Sequence, residues 1–188
     1  MKILIELPTW LGDTVMSTAA IDNLVTYFKK AEVTIIGSFV SIELIKNNPR
    51  VINSYVLDKS YRSILNARRT LGKFDIFYSF RETFRSYIFK KIITSSKKYS
   101  FKKKEIYASH QVEKYNNFIN STLNMNFQAG KLKLHTNLKL PEIKNKPIIG
   151  INPGSSYGSS KRWYPERFAE SALSFSNNFD IFIFGGDN

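Results

Sequence analysis

The stretch Pro147-Ile-Ile-Gly-Ile-Asn-Pro-Gly-Ser-Ser-Tyr-Gly-Ser-Ser-Lys-Arg-Trp-Tyr-Pro-Glu-Arg-Phe-Ala-Glu170 reads as a strand, a loop and the start of a helix. Ile148, Ile149 and Ile151 form a short apolar run bounded by Pro147 and Pro153, the pattern of a buried strand. Pro165 stands where a first helical residue needs no amide, and Phe168, Ala169, Ala172, Leu173 and Ser176 follow at helical spacing, so the helix is expected to pack on the sheet. A second apolar run, Asp180-Ile-Phe-Ile-Phe184, closes one βαβ unit.

The loop inside that unit has the chemistry of an anion site. Gly154 and Gly158 permit close backbone approach, Ser155, Ser156, Ser159 and Ser160 offer hydroxyls, and Lys161 with Arg162 supplies positive charge. A flexible Gly/Ser connector is the alternative reading of the same residues. The spacing is not a Walker A loop, because two serines separate Gly158 from Lys161 and an arginine follows the lysine.

A second strand, loop and helix opens the chain. Met1-Lys-Ile-Leu-Ile-Glu-Leu7 is strand-like, and after Pro8-Thr-Trp-Leu-Gly-Asp-Thr14 the residues Val15, Met16, Ala19, Ala20, Leu24, Tyr27 and Phe28 fall on one helical face. Asp13, beside Gly12, lies at the carboxyl end of the first strand, where open α/β sheets place their ligands. Two readings stand for it: an N-cap of the helix, or a general base held on a rigid element. Trp10 is either a platform for a sugar ring or a packed loop aromatic.

Between these ends, 32–37 and 51–57 read as strands, Phe74 to Phe80 as another, and 41–48, 61–71, 84–93 and 110–123 as helices. Strand and helix alternate, which implies an α/β fold with a doubly wound parallel sheet. Residues 136–147 are polar with two prolines and read as a connection, dividing the chain into a domain at 1–145 and part of a second at 146–188.

With 43% apolar residues the chain has material for a core, and with no cysteine and two histidines neither disulfides nor a structural zinc site is expected. No cofactor and no metal are expected. No segment reaches the roughly 18 apolar residues of a membrane span, so a cytoplasmic protein is expected. The net charge of +13 is unevenly placed: residues 1–145 hold 24 basic and 11 acidic side chains, residues 146–188 hold 4 of each, and residues 59–104 alone hold 14 and 2. Such a surface suits a polyanion: an acidic substrate, an anionic membrane or nucleic acid, although a solvated face at Lys97, Lys98 and Lys102–Lys104 is the plainer reading and no nucleic-acid recognition motif is present. Arg81 and Arg85 follow an apolar run at a strand's carboxyl end, and with Arg62 they are the acceptor-side candidates.

With both loops in view, the chain resembles the ADP-heptose:lipopolysaccharide heptosyltransferases of glycosyltransferase family 9, most closely the heptosyltransferase II branch. Leu7-Pro-Thr-Trp-Leu-Gly-Asp-Thr-Val-Met-Ser17 is similar to that family's first loop, and Asn152-Pro-Gly-Ser-Ser-Tyr-Gly-Ser-Ser-Lys-Arg-Trp163 to its phosphate loop. The resemblance implies a GT-B architecture of two Rossmann-like domains, the first for a lipopolysaccharide inner-core acceptor at the cytoplasmic membrane face, the second for ADP-heptose. It further implies that Asp13 deprotonates the acceptor hydroxyl, Gly12 allows close approach, Gly154, Ser155 and Ser156 contact the diphosphate, and Lys161 offsets charge on departing ADP, in an inverting displacement without a metal. The family's later Asp-Ser/Thr-Gly-x-x-His motif would lie beyond Asn188, so a truncated second domain is expected. The competing expectations are a noncatalytic basic module and a GT-B transferase using another nucleotide sugar.

Overall fold

Strand β1 (Lys2–Glu6) is buried along both sides of its pleat, and the first part of the fold is built outward from it. The computed structural model describes residues 1–58, 60–102, 110–137, 146–155 and 159–185. Their contacts divide the chain into two units, Met1–Asn137 and Leu138–Asn188.

In the first unit β1 is followed by α1 (Leu11–Tyr27), β2 (Glu32–Gly37), α2 (Phe39–Ile45), β3 (Val51–Val56), α3 (Tyr61–Leu71), β4 (Lys73–Ser79), α4 (Phe84–Ile92), β5 (Thr94–Ser100) and α5 (Gln111–Leu123). The five strands form one parallel sheet in the order β3-β2-β1-β4-β5. Successive connections run outward from β1 on one side and from β4 on the other, which makes the β1–β4 boundary the topological switch point where such sheets hold ligands. The doubly wound expectation is met.

Period-two alternation distributes the core between the two faces. Ile3, Ile5, Ile76 and Tyr78 pack with Leu24 of α1, Ile42 of α2 and Phe118 of α5. Leu4, Ile36 and Phe77 point the other way, onto Ile64 and Ala67 of α3 and Phe89 of α4. Hydroxyl caps fix where the connecting helices begin: Ser38, Ser60 and Thr83 each accept a first-turn amide, from Ser41, Arg62 and Ser86. Gly72 ends α3 at φ +71, a conformation that L side chains rarely adopt.

Three local expectations change. Asp13 is not the N-cap of α1; Trp10 holds that position without a side-chain hydrogen bond, and Asp13 is the third helical residue. The second helix begins at Phe39, two residues before Ser41, because Ser38 supplies the cap. Strand β5, Thr-Ser-Ser-Lys-Lys-Tyr-Ser, has no counterpart among the sequence-based strands, since an edge strand needs little apolar content and lysines there discourage edge-to-edge pairing.

The second unit comprises β6 (Ile148–Ile151), a 3-10 turn at Ser159–Lys161, α6 (Pro165–Phe175) and β7 (Asp180–Ile183), with β6 and β7 paired in parallel. Pro165 occupies the first helical position, as its fixed φ predicts. Gly150 is required by packing: a Cβ there would lie 2.7 Å from the Phe184 ring. The helix is expected from its pattern to bury an apolar face, yet α6 has no buried residue and Leu173 is 72% exposed.

Candidate functional site

The switch point carries a cleft of about 250 Å³ between the loop after β1 and the loop after β4. Asp13, Trp10, Arg81, Thr83, Gln111 and Tyr115 are among its lining. The β1 loop is anchored from behind, because Ser41 Oγ donates to the Pro8 carbonyl at 2.7 Å and Thr14 Oγ1 to the Trp10 carbonyl at 2.9 Å. That anchoring fixes the start of α1 and with it Asp13.

Asp13 is half-buried in the first turn of α1, where free amides and the helix dipole favour an anion. The Tyr115 hydroxyl donates to its Oδ1 at 3.5 Å. Burial, then the Asp13 charge, pushes the Tyr115 phenol up to about 12, so the hydroxyl stays a donor. Tyr115 reaches this position because α5 packs along α1, with Asn23 Nδ2 donating to Asn116 Oδ1 at 2.8 Å. Trp10 is 75% exposed on the cleft rim, so it is not the packed loop aromatic of the plainer reading.

Beneath the cleft lies a buried polar cluster. Glu6 accepts from Ser79 Oγ at 2.6 Å and Ser86 Oγ at 2.9 Å, and Arg81 Nη1 lies 3.9 Å from its Oε1. Arg81 Nε donates to the Leu7 carbonyl at 2.6 Å, which ties the two strand ends together. Nη2 of Arg81 has no hydrogen-bond partner among the described residues, although the side chain lines the cleft. Burial raises the Glu6 carboxyl above its ordinary value, against the lowering effects of Arg81, Ser79, Ser86 and Arg85. Burial likewise lowers Arg81, partly offset by Glu6.

Of the three expected acceptor arginines, the structure brings only Arg81 to the cleft beside Asp13. Arg85 donates through Nη2 to the Asp58 carbonyl, to the Ser60 carbonyl at 3.2 Å and to Ser63 Oγ at 3.0 Å, and so braces α4 against the approach to α3. Arg62 is an exposed first-turn residue of α3 whose amide bonds Ser60 Oγ at 3.0 Å. A Cβ on Gly12 would meet nothing within 4 Å, so open space lies beside Asp13.

In the second unit, Arg162 shapes the loop: its Nε and Nη2 donate to the Ser155 carbonyl at 2.8 and 2.6 Å, closing the loop on itself. Lys161 ends the 3-10 turn that follows, and Gly154 precedes Ser155 with, among the described residues, Asn152 Oδ1 at 3.8 Å from its missing Cβ. Ser156 and Gly158 lie outside the described residues, as do Lys103, Lys104 and most of the connecting stretch. Sequence reading misses Glu6 and Tyr115. A lone acid inside an apolar strand and a tyrosine on an apolar helical face both require a partner, and those are the signals that mark them.

Among the described residues no group of three or more His, Asp or Glu side chains is placed to hold a metal ion, and no helix is long and apolar enough to cross a membrane.

The fold recurs in solved glycosyltransferases. A family 9 glycosyl transferase from Veillonella parvula matches with a TM-score of 0.81 at 22% identity, over 99% of this chain and 63% of that one. The E. coli heptosyltransferase WaaC, solved with ADP-2-deoxy-2-fluoro heptose, matches with a TM-score of 0.78 at 12% identity, over 100% of this chain and 70% of that one. The class is therefore an α/β protein of GT-B type. No family model matches the chain. Its sequence is 42% identical over 191 residues to lipooligosaccharide heptosyltransferase 2 of Campylobacter jejuni, covering 98% of this chain. Over 98% of its own length the chain is similar to lipooligosaccharide heptosyltransferases, and it spans 60% of the length of the curated relatives it matches.

Proposed function

We propose that this chain serves the transfer of heptose from ADP-heptose to the inner core of lipopolysaccharide. The observation that carries the reading is the half-buried Asp13 carboxylate, set among the lining of a cleft at the switch point. In this role Asp13 takes the proton from an acceptor heptose hydroxyl, and that oxygen forms a bond to the anomeric carbon while the bond from that carbon to the ADP oxygen breaks. Attack from the face opposite the leaving group inverts the anomeric centre. Lys161 meets the charge that develops on ADP, with Gly154, Ser155 and Ser156 at its diphosphate, so the step draws on no bound metal.

Arg81 serves the acceptor side, since of the three arginines it is the one whose side chain lines the cleft beside Asp13, where its positive charge suits a phosphate or carboxylate of the inner core. Arg62 and Arg85 are candidates for the same side on charge alone, and the Arg85 contacts favour a bracing role instead. The donor assignment is supported by the WaaC structure with its ADP-sugar analogue and by the 42% identity to lipooligosaccharide heptosyltransferase 2. The acceptor would be met in the cytoplasm at an anionic membrane surface.

Calorimetry with ADP-heptose and ADP tests the reading. Binding on the order of 1 to 100 μM, about −8 to −5 kcal/mol, is expected, with at least a tenfold loss in Lys161→Ala. A folded protein that binds neither ligand, or whose Lys161→Ala variant binds as well as the parent, overturns the donor assignment.

A further inference from the structure

The helices on the outer side of the sheet carry a surface that the transfer reaction does not use. On α3, Tyr61, Leu65 and Arg68 recur at helical spacing on one face, and on α4 so do Phe84, Tyr87 and Lys91. The four apolar members are left in solvent, with exposures of 56% for Tyr61, 52% for Leu65, 73% for Phe84 and 56% for Tyr87. The buried residues of the same helices, Ile64 and Ala67 on α3 and Phe89 on α4, belong to the core beneath them. The amino-terminal ends of the two helices are tied together by Arg85 of α4, which donates to the Ser60 carbonyl ahead of α3 and to Ser63 Oγ within it.

Cations surround this apolar surface. Arg62, Arg68 and Arg69 are exposed on α3, and Lys91 stands 5.4 Å from the centre of the Tyr87 ring. Lys98 of β5 donates to the Lys90 carbonyl at 2.9 Å, bringing a further ammonium to the end of α4. Lys90 is held below its ordinary value by burial first and then by Lys102, Lys98 and Lys91, the sign of cations crowded together. The segment 60–102 contains two acids, Asp75 and Glu82. Asp75 accepts from the Lys2 amide at 2.7 Å and Glu82 lines the cleft.

Exposed aromatics interleaved with Lys and Arg match the interfacial zone of a bilayer, where rings sit at headgroup depth and cations meet anionic lipid. We propose that the outer face of α3 and α4 docks the protein on an anionic lipid bilayer. The proposal gives a location to the membrane contact of the reading above and rests on it only for the kind of surface. The binding itself requires neither donor nor turnover, so its failure leaves the ADP-heptose titration untouched.

The test is flotation of the purified chain with vesicles of phosphatidylcholine alone or of phosphatidylcholine mixed with phosphatidylglycerol. Binding to the mixed vesicles, released by raised salt, is expected. Arg68→Gln combined with Lys91→Gln weakens partitioning roughly 30-fold, the factor that two lost surface charges carry. Phe84→Ser combined with Tyr87→Ser weakens it roughly tenfold or more while the salt dependence persists. Far-UV circular dichroism and the thermal midpoint verify that each variant is folded, as the exposure of these side chains predicts. Equal binding to both vesicle types, binding unchanged in either folded variant, salt-sensitive binding of an RNA oligonucleotide with no vesicle binding, or self-association that Phe84→Ser abolishes would each overturn the proposal.

Discussion

Separating Glu6 from Arg81 is the most informative perturbation of the fold, because the pair joins two strand ends directly beneath the cleft. Both side chains are buried, at 2% and 9% exposure, and their nearest charged atoms are 3.9 Å apart. At that separation the attraction is about 4 kcal/mol with an effective dielectric of roughly 20, before the cost of desolvating both groups is set against it. Removing either partner alone leaves the other charge buried, which costs about 3 to 5 kcal/mol. A cycle of Glu6→Gln, Arg81→Met and the double variant should therefore show a coupling of about 2 to 4 kcal/mol, with the double variant closer to the parent than either single one. Native-state hydrogen exchange at β1 and β4 amides reads this in the first unit itself, the Phe80 amide bonded to the Glu6 carbonyl at 2.9 Å being a suitable reporter.

The pH dependence adds a sign to the magnitude. A carboxyl raised above its ordinary value of 4.5 binds its proton more tightly in the folded state, so its contribution to stability is greatest below that value and falls as pH rises toward the folded pKa. Arg81 is the largest of the lowering influences on Glu6, so Arg81→Met raises the carboxyl further and extends the loss to higher pH. The variant should accordingly be less destabilised near pH 5 than near pH 8, by about 1.4 kcal/mol for each unit of further rise. A coupling below about 0.5 kcal/mol, or an Arg81→Met penalty that is flat between those pH values, would refute the idea that the two charges see one another through a dry interior.

Gly12→Ala should leave stability unchanged or improve it by up to about 1 kcal/mol, since alanine is the better helix former and its methyl meets no atom within 4 Å, while ligand binding in the cleft falls; calorimetry beside a thermal melt separates the two. Tyr115→Phe removes the donor to Asp13 at a stability cost of about 1 kcal/mol, read from the thermal midpoint of the folded variant. Tyr78 and Tyr115, both raised to about 12 by burial, should ionise late in an ultraviolet titration, and stability should fall as pH climbs above the ordinary value of 10. Phe89→Ala, at a fully buried ring edge-on to Phe77, should cost about 3 to 5 kcal/mol in the first unit, measured by the same amide exchange.

The central strands and most helices are readable from the sequence because their burial is periodic. Lys2–Glu6 and Glu32–Gly37 are apolar runs, and Tyr61–Leu71 is bracketed by Ser60 and Gly72, a cap and a stop written in single residues. Thr94–Ser100 is hidden for the opposite reason: its pairing with β4 is a backbone interaction that leaves polar side chains free, so no apolar period records it. Asp13 is readable because strand, glycine and helix fix its place along one short segment. Its partner Tyr115 lies 102 residues away and Arg81 reaches the Leu7 carbonyl across 74, and only the strand order brings such residues together. Charge alone does not separate Arg81 from Arg85, which differ in whether the fork ends in the cleft or on neighbouring carbonyls.

The two units reach their present order by different means. The first encloses ring-rich cores on both faces of a five-stranded sheet, so its cleft residues are held by packing as well as by hydrogen bonds. In the second, no described residue is buried, and Trp163, Leu173, Ile183 and Phe184 are all more than half exposed. Its loop is shaped instead by polar ties, above all the forked Arg162 contact with Ser155. In the first unit, by contrast, the first turn of α1 that carries Asp13 is fixed by ties within the protein itself, the Ser41 hydroxyl on the Pro8 carbonyl and the Thr14 hydroxyl on the Trp10 carbonyl.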